Sequence, residues 1–544
     1  YKSTILIIAV CMSLLPFANL LLKHKISIHN DKRYYIPMSI FAFFAVLSTA
    51  MSPYRNVALL GFIEMYQGMS VLLCYILLTF IIMNFLNTER DFKIIIYSFV
   101  VLSIIVGIIG LSQYFGHDLL QTDIGRWLIT PESLRNANIE FTFGKYTIYA
   151  TMYNTNFVGS FGALLLPLNI MLYLNSNKKQ TNIIFLISSV LIYTTWLGCN
   201  SRAGYIGVIA ACIIGIIMFR QVLREKYKKI CFLIMLYIII AIIFNTESNG
   251  RVLGQFSRLN PLSEAEKLRT IQEQQKVKFE DISVKDNTFT IKTNSEELTG
   301  IVDNYNLTFQ DGQGNSLKTH TDESDTITIL DKGYEDYSFR KKDGSPFIKA
   351  TIYKRPLDLY ALEDDTVMVV SMNYKLVEPV NAPRLKIFDG RETFASNRGY
   401  IWSRTIPMLK DTLFIGYGPD NYCLMFPQED YVGRFNTGSG MTNIVVDKPH
   451  NMYMQTAINT GGVSLLSLII LWAIYLTDSF KLYYHKKIYS FSEYMGVAMF
   501  LSVTAYLAAG MFNDNIVSVA PLFWVALGLG ISINKMNKID KPIF

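Results

Sequence analysis

Long apolar runs, almost free of charge, decide most of what this chain can become. Lys93–Gly110 and Ala203–Met218 are two of them. In a bilayer every backbone N–H and C=O must be satisfied within the segment, so about 20 such residues read as a spanning helix. Most runs lack the period-two alternation of a strand. Eleven spans are predicted, at 3–22, 34–52, 69–86, 94–115, 156–174, 182–200, 203–219, 229–244, 460–478, 493–512 and 516–534. The fold class expected is a polytopic α-helical membrane protein with about 11–12 transmembrane helices.

Lysine and arginine placement sets the orientation. Basic clusters stand at Lys23, Lys25, Lys32 and Arg33; at Arg90 and Lys93; at Lys178 and Lys179; at Arg220, Arg224, Lys226, Lys228 and Lys229; and at Lys481, Lys486 and Lys487. They fall on one side of eleven spans if the C-terminus is cytoplasmic. Arg126, Arg202, the segment 245–459 and Asn513 then lie outside. So does the N-terminus, and for a chain beginning Tyr1-Lys2 this leads us to expect one further span upstream. The net charge of +7 is explained by loops facing anionic membrane lipid, and calls for no nucleic acid. Cys11, Cys74, Cys199, Cys212 and Cys231 fall within spans, where cysteine acts as a small hydrophobe. Only Cys423 is expected outside. The spacings suggest neither a disulfide framework nor a metal site, and no cofactor is expected.

Four regions follow. Residues 1–244 form an N-terminal transmembrane bundle, 245–390 an inserted extracytoplasmic β-rich domain, 391–459 an outer loop, and 460–544 the C-terminal transmembrane helices. Roughly half of the chain's 43 acidic residues lie in 245–390. Thr288–Lys292, Asp325–Leu330 and Thr366–Lys375 read as strands, and Asp311-Gly312 and Asp343-Gly344 as turns. Ser263–Lys278 reads as a helical start to this domain. Charges inside spans are rare. Glu64 falls in an amphipathic stretch, Val57–Gln67, placed at the outer interface. This argues against an ion-coupled transporter and points to the outer face.

Four local patterns there could carry chemistry. Asn200-Ser201-Arg202-Ala203-Gly204 is a tight turn between two spans; its arginine reads equally well as an interfacial snorkel. Asn397-Arg398-Gly399-Tyr400-Ile401-Trp402 opens an amphipathic helix running to Leu409, with Trp402 on the same face as Arg398. As an outer-surface side chain, Arg398 is expected to carry little folding energy. Gly416-Tyr417-Gly418-Pro419 reads as a plain turn, since it lacks the basic residue of a phosphate loop. His450-Asn451 precedes Gly461-Gly462 by nine residues.

Together these stretches resemble the O-antigen ligase and O-antigen polymerase superfamily of bacteria. That family has a Ser-Arg turn between mid-chain spans, as at Ser201 and Arg202. Its large outer loop has an arginine shortly before a tryptophan and a Gly-x-Gly, as at Arg398, Trp402, Gly416 and Gly418. The loop ends in His-Asn and, after nine residues, a glycine, as at His450, Asn451 and Gly461. Ser464 stands where the family has Gly, Thr or Tyr. Gln113-Tyr114-Phe115-Gly116 and Asn154-Thr155-Asn156 also look like the family. The resemblance covers about 95–244 and 391–535, so 245–390 reads as an insertion.

The resemblance implies an inverting, metal-independent glycosyltransferase. The donor would be an undecaprenyl-diphosphate-linked oligosaccharide, and the acceptor a glycan, lipid or wall group. Cleavage of the sugar–phosphate bond builds negative charge on the diphosphate. Arg202 and Arg398 are assigned to bind it through bidentate, charge-assisted bonds. His450 is the candidate base, or orients the acceptor, with Ser201, Asn451 and Gly461 in support. His450, Arg398 and Arg202 are expected to converge in one cavity at the outer interface of the cytoplasmic membrane. Tyr400, Trp402 and Tyr453 could stack on sugars, although interfacial anchoring suits Trp402 better. The motifs do not separate polymerase from ligase. A flippase for the same lipid would show an internal repeat, and none is visible. A membrane sensor using 245–390 would need an output module, for which the tail Asn534–Phe544 is too short.

Overall fold

The computed structural model describes residues 2–23, 28, 31–63, 65–86, 88–132, 140–260, 277–304, 306–342, 344–371, 374–437, 444–484 and 486–539. Lys25, Glu64, Asp343 and most of Ser263–Lys278 lie outside the described residues. The chain divides into two compact units. The first comprises Tyr1–Asn260, Asp411–Asn421 and His450–Phe544; the second comprises Pro261–Lys410 and Tyr422–Pro449.

The first unit is helical. Before the break come α1 (Lys2–Leu22), α2 (Lys32–Met51), α3 (Met69–Phe85), α4 (Glu89–Tyr114), α5 (Thr155–Asn175), α6 (Lys179–Gly198), α7 (Arg202–Met218) and α8 (Tyr227–Glu247). The second unit contributes α9 (Phe394–Met408). The first unit resumes with α10 (Met452–Thr460), α11 (Gly462–Tyr483), α12 (Phe491–Ala509) and α13 (Ala520–Ile539). Eight of these helices are long and apolar enough to cross a membrane; α3 and α7, at 17 residues each, are shorter apolar helices. The protein is a polytopic helical membrane protein. Helix α5 is 94% buried over its apolar window, whereas α1 and α8 are each 11% buried. The apolar faces of α1 and α8 therefore need lipid, and α5 occupies the interior.

Two predicted spans start earlier than the helices do. The span expected at 460–478 begins only after Gly461, whose φ of 107° ends α10. That expected at 516–534 begins at Ala520, because the residues before it are engaged as a loop. Caps set other starts. Thr88 and Asp91 form a capping box at α4, as do Ser490 and Glu493 at α12.

The second unit is built on two antiparallel sheets. One has the order β1-β2-β3-β4: Phe279–Lys285, Thr288–Thr293, Glu297–Asp303 and Asn306–Asp311. The other is made of β5 (Thr319–Thr321), β6 (Thr326–Ile329), β7 (Tyr337–Arg340), β8 (Phe347–Ile352), β9 (Arg355–Ala361), β10 (Val367–Val370) and β11 (Leu376–Val377), in the order β11-β10-β9-β8-β7-β6-β5. Alternation puts Phe289 and Ile291 of β2 and Leu298 and Val302 of β3 inside. Phe289 pairs with Gly300, and its ring lies where a Cβ on Gly300 would be, 2.1 Å away. The Asp311-Gly312 turn is held by Asp311 Oδ1, which accepts from the backbone N–H of Gln313 and Asn315 at 2.9 and 2.8 Å.

The β core does not end with its strands. Val432 and Phe435, from a short helix at Tyr431–Asn436, belong to it. Phe435 meets Phe279 edge-on at 5.0 Å, and Asn436 bonds both backbone groups of Phe279 at 2.9 Å. Phe435→Ala is therefore expected to destabilise the second unit by about 3–5 kcal/mol. Limited proteolysis of the full chain, with cleavage appearing first between the strands, is the readout.

Candidate active site

The Ser201–Gly204 turn is shaped by two devices. Asn200 takes a left-handed conformation (φ 56°) after α6. Ser201 then caps α7, its Oγ accepting from Gly204 N at 3.3 Å. Gly204 packs directly on Gly159 of α5: a Cβ on Gly204 would lie 2.7 Å from the Gly159 backbone. Small residues at this crossing let the two helices touch. Ser201 Oγ donates to Asn156 Oδ1 at 3.2 Å, in the first turn of α5. Arg202, half-buried, follows as the first residue of α7. Upstream, Gln113 Oε1 accepts from the N–H groups of Tyr149 and Ala150 at 3.2 and 2.7 Å. The Gln-Tyr motif thus fixes the loop that leads to Asn154 and Asn156.

The loop between α12 and α13 joins this turn to His450. Asn513 Nδ2 donates to Asn156 O and to Ser160 Oγ, both at 2.7 Å. Its neighbour Asp514 is buried, and Asp514 Oδ2 stands 3.0 Å from His450 Nδ1. Asp514 Oδ1 accepts from Asn451 N at 3.1 Å. His450 itself sits in the left-handed region, at φ 53°. Asn451 caps α10, its Oδ1 accepting from the N–H groups of Tyr453 and Met454 at 2.9 Å. Its Nδ2 donates to Met511 O at 2.9 Å.

The glycine turn is structural, as its sequence suggests. The N–H groups of Tyr417 and Gly418 donate at 2.9 Å to the carbonyls of Ile458 and Asn459. These are among the last carbonyls of α10, which have no acceptor role inside the helix. Gly416 and Gly461 leave the room for it: a Cβ on Gly416 would lie 2.3 Å from Asn459, and one on Gly461 2.4 Å from Phe414 O. Ser464 is buried and shares a hydrogen bond with Thr460 at 2.8 Å.

Asp420, in the same turn, accepts from Gln67 N at 2.6 Å and Phe62 N at 3.1 Å. Burial nonetheless pushes its carboxyl up to about 7. Folded Asp420 therefore holds a proton that the unfolded chain, near 3.9, releases. Its contribution is fully present below about pH 4 and is lost as pH rises towards 7. Asp420→Asn keeps an acceptor for both N–H groups and cannot ionise. Its melting temperature should rise relative to the parent across that window and level off above it. A constant difference between the two proteins from pH 4 to 8 would refute this.

Arg398 belongs to the second unit. The helix expected from Asn397 is regular only from Arg398 onward, because Ala395, Ser396 and Asn397 are all left-handed, with φ of 49°, 61° and 65°. Such a run is costly for residues other than glycine. It brings Tyr400 N to Glu392 O at 2.9 Å and sets Gly399 against Arg391 O, 2.0 Å from where a Cβ would stand. Arg398 is not a surface side chain: it is 9% exposed, with Nη1 donating to Ala395 O at 2.8 Å. Trp402 Nε1 donates to Pro449 O at 2.8 Å. Further along, Arg404 and Asp430 form a buried ion pair at 2.7 Å, and Arg434 donates to Gln428 Oε1 at 2.7 Å.

Residues 358–470 match the family model described as O-antigen ligase. The match takes in Arg398, Trp402, Gly416, Gly418, His450, Asn451 and Gly461, and stops short of Ser201 and Arg202. No curated protein and no solved structure gives a match. The resemblance to the O-antigen ligase superfamily thus has support beyond the motifs, and it supports a lipid-linked glycan transferase role at the membrane. The O-antigen ligase match also begins inside β9 (Arg355–Ala361). The family-like stretch therefore reaches into the strands, where the sequence reading had it start at 391.

Of the residues singled out from sequence, Ser201, Arg202, His450, Asn451 and Gly461 lie in the first unit and Arg398 in the second. Asn156 carries the link between Ser201 and the Asn513–Asp514 loop, and it was noticed only as part of a motif. The partner of His450 in this O-antigen ligase-like protein, Asp514, was not singled out. Asn513-Asp514-Asn515 is nevertheless a polar triplet between two apolar runs, and that was the available signal.

Proposed function

We propose that this protein transfers or polymerises a glycan from an undecaprenyl-diphosphate-linked oligosaccharide at the outer face of the bacterial cytoplasmic membrane. The observation that carries this is the hydrogen-bonded path Ser201–Asn156–Asn513, continued by Asp514 to His450. It ties the helix that Arg202 opens to a histidine paired with a buried carboxylate.

The acceptor hydroxyl attacks the anomeric carbon as the bond to the diphosphate oxygen breaks, with inversion. His450 Nε2 takes the hydroxyl proton, and Asp514 stabilises the imidazolium that results. Arg202, aided by the positive end of α7, takes charge from one phosphate. Arg398 does the same on the strength of its motif. Planar, always-charged guanidinium groups suit this role better than lysine. Among the described residues no three His, Cys, Asp or Glu side chains gather into a ligand set. The second unit stands outside the bilayer in this reading.

The test is transfer from a purified lipid-linked donor in liposomes, with and without EDTA. Bond formation that survives EDTA supports the reading. Movement of the donor across the membrane without a new glycosidic bond would replace it with a flippase. Loss dependent on a divalent cation would overturn the role given to the arginines. Glycans from a strain lacking the protein then separate the two transferases. Single repeats without long chains mean polymerase, and long chains left on the carrier mean ligase.

A further inference from the structure

Beside Asp420 the first unit holds a cavity of about 30 Å³, lined from α2, α3, α10, α11, α13 and the loop before α13. It has room for a water molecule or a small ion, and for no organic ligand. One wall is aromatic, where Tyr75 of α3 stacks on Trp524 of α13 at 6.0 Å. The rest is largely polar. Among the described residues it carries one carboxyl group, that of Asp420, and no Lys, Arg or His.

Two oxygens on this lining are left over. Both hydrogen bonds of Asp420, from Gln67 N and Phe62 N, go to Oδ2, and Oδ1 accepts none among the described residues. Asn459 is 6% exposed, and its Oδ1 likewise has no partner among the described residues. The neighbouring polar groups are engaged with one another. Gln455 Oε1 accepts from Asn515 N at 2.8 Å, and Thr460 Oγ1 donates to Thr456 O at 2.9 Å.

A buried carboxylate without a cationic side chain has to be matched by a bound cation or neutralised by a proton. Asn459 and Thr460 are the last two residues of α10, and a helix C-terminus favours positive charge. One carboxylate among neutral amide and hydroxyl oxygens balances a single charge. Calcium sites gather many oxygens with several carboxylates, and magnesium keeps several waters, so a cavity this small suits neither. We propose that Asp420 and Asn459 hold a small monovalent cation, sodium in the first instance, which staples the glycine turn to α10. The site stands independently of the transferase reading.

The test melts the purified full chain at pH 8 in sodium chloride or in choline chloride of equal ionic strength. The melting temperature should rise by about 2–5 °C on saturation with sodium and stay constant in choline chloride. Asp420→Asn removes the charge and Asn459→Ala the second oxygen, and each should abolish the rise. Equal shifts in both salts, or a sodium shift that survives in Asp420→Asn, would overturn the site. So would a larger shift with magnesium or calcium chloride that EDTA reverses.

Binding of radioactive sodium, followed by scintillation proximity, is the second readout. It should saturate in the parent and be lost in Asp420→Asn. Protons compete for the same oxygen. With the carboxyl titrating at about 7, half-saturation at pH 6 should need about tenfold more sodium than at pH 8. Among the described residues Tyr75 is the only other titratable side chain on the lining, and a phenol stays neutral over this range. A parent protein that binds no sodium at pH 8, yet keeps its pH-dependent difference in melting from Asp420→Asn, would give the site to a proton and sink the idea.

Discussion

Arg398→Ala is expected to lower glycan transfer by about 10² or more, the usual cost of losing one preorganised charge-stabilising donor. Arg398→Lys should lower turnover substantially as well, because lysine keeps the charge and loses the planar fork. Burial changes how this must be read. At 9% exposure, removing the side chain leaves a gap and takes one donor from Ala395 O, so abundance and melting temperature have to accompany the rate. If Arg398 acts on the diphosphate, the lysine variant loses rate while keeping a near-parental melting temperature. Near-normal transfer by the alanine variant would remove Arg398 from the mechanism. Loss of rate strictly in step with loss of folded protein would make the residue structural.

Asp514→Asn should cost roughly 10²–10⁴ in kcat, the range spanned by the contribution of a positioned general base and by loss of the carboxylate that orients it. Asparagine is close in size and keeps an oxygen for Asn451 N. What it loses is the charge that fixes the proton on His450 Nδ1 and steadies the imidazolium. His450→Asn should cost at least as much. The decisive measurement is the double variant: residues acting as a unit are not additive, so Asp514→Asn should do little further damage once His450 is gone. Additive losses would mean that Asp514 contributes packing alone. KM for the donor should stay near the parental value in Asp514→Asn, since neither residue is assigned to the diphosphate.

Much of the helical frame was legible because a lipid-spanning backbone must satisfy itself locally, which leaves its mark on every run of residues. Ser201, Asn154 and Asn451 were legible only as parts of family-like motifs, and the structure adds that each caps the helix it precedes. The strands at 288–293 and 326–329 announced themselves by alternation. Asp514 was not legible as a partner of His450, because 64 residues separate them and no local pattern encodes that pairing. The left-handed run Ala395–Asn397 was hidden too, for Ala395 and Ser396 are residue types that do not favour it. Nor did the sequence advertise that Val432 and Phe435 complete the β core, since a six-residue helix bears no period that could reveal its partner.

The pairing of His450 with Asp514 has a consequence for the timing of synthesis. A ribosome that has just finished His450 has made the histidine and its capping neighbour, but nothing yet holds the ring. Helices α11 and α12 are made before the Asn513–Asp514 loop, and that loop must then reach back to Asn156, made some 357 residues earlier. The hydrogen bonds that hold His450 therefore form only after the loop between α12 and α13 has been made. If His450 and Asp514 act as proposed, a chain truncated after α12 would keep the histidine, lack its partner and transfer no glycan.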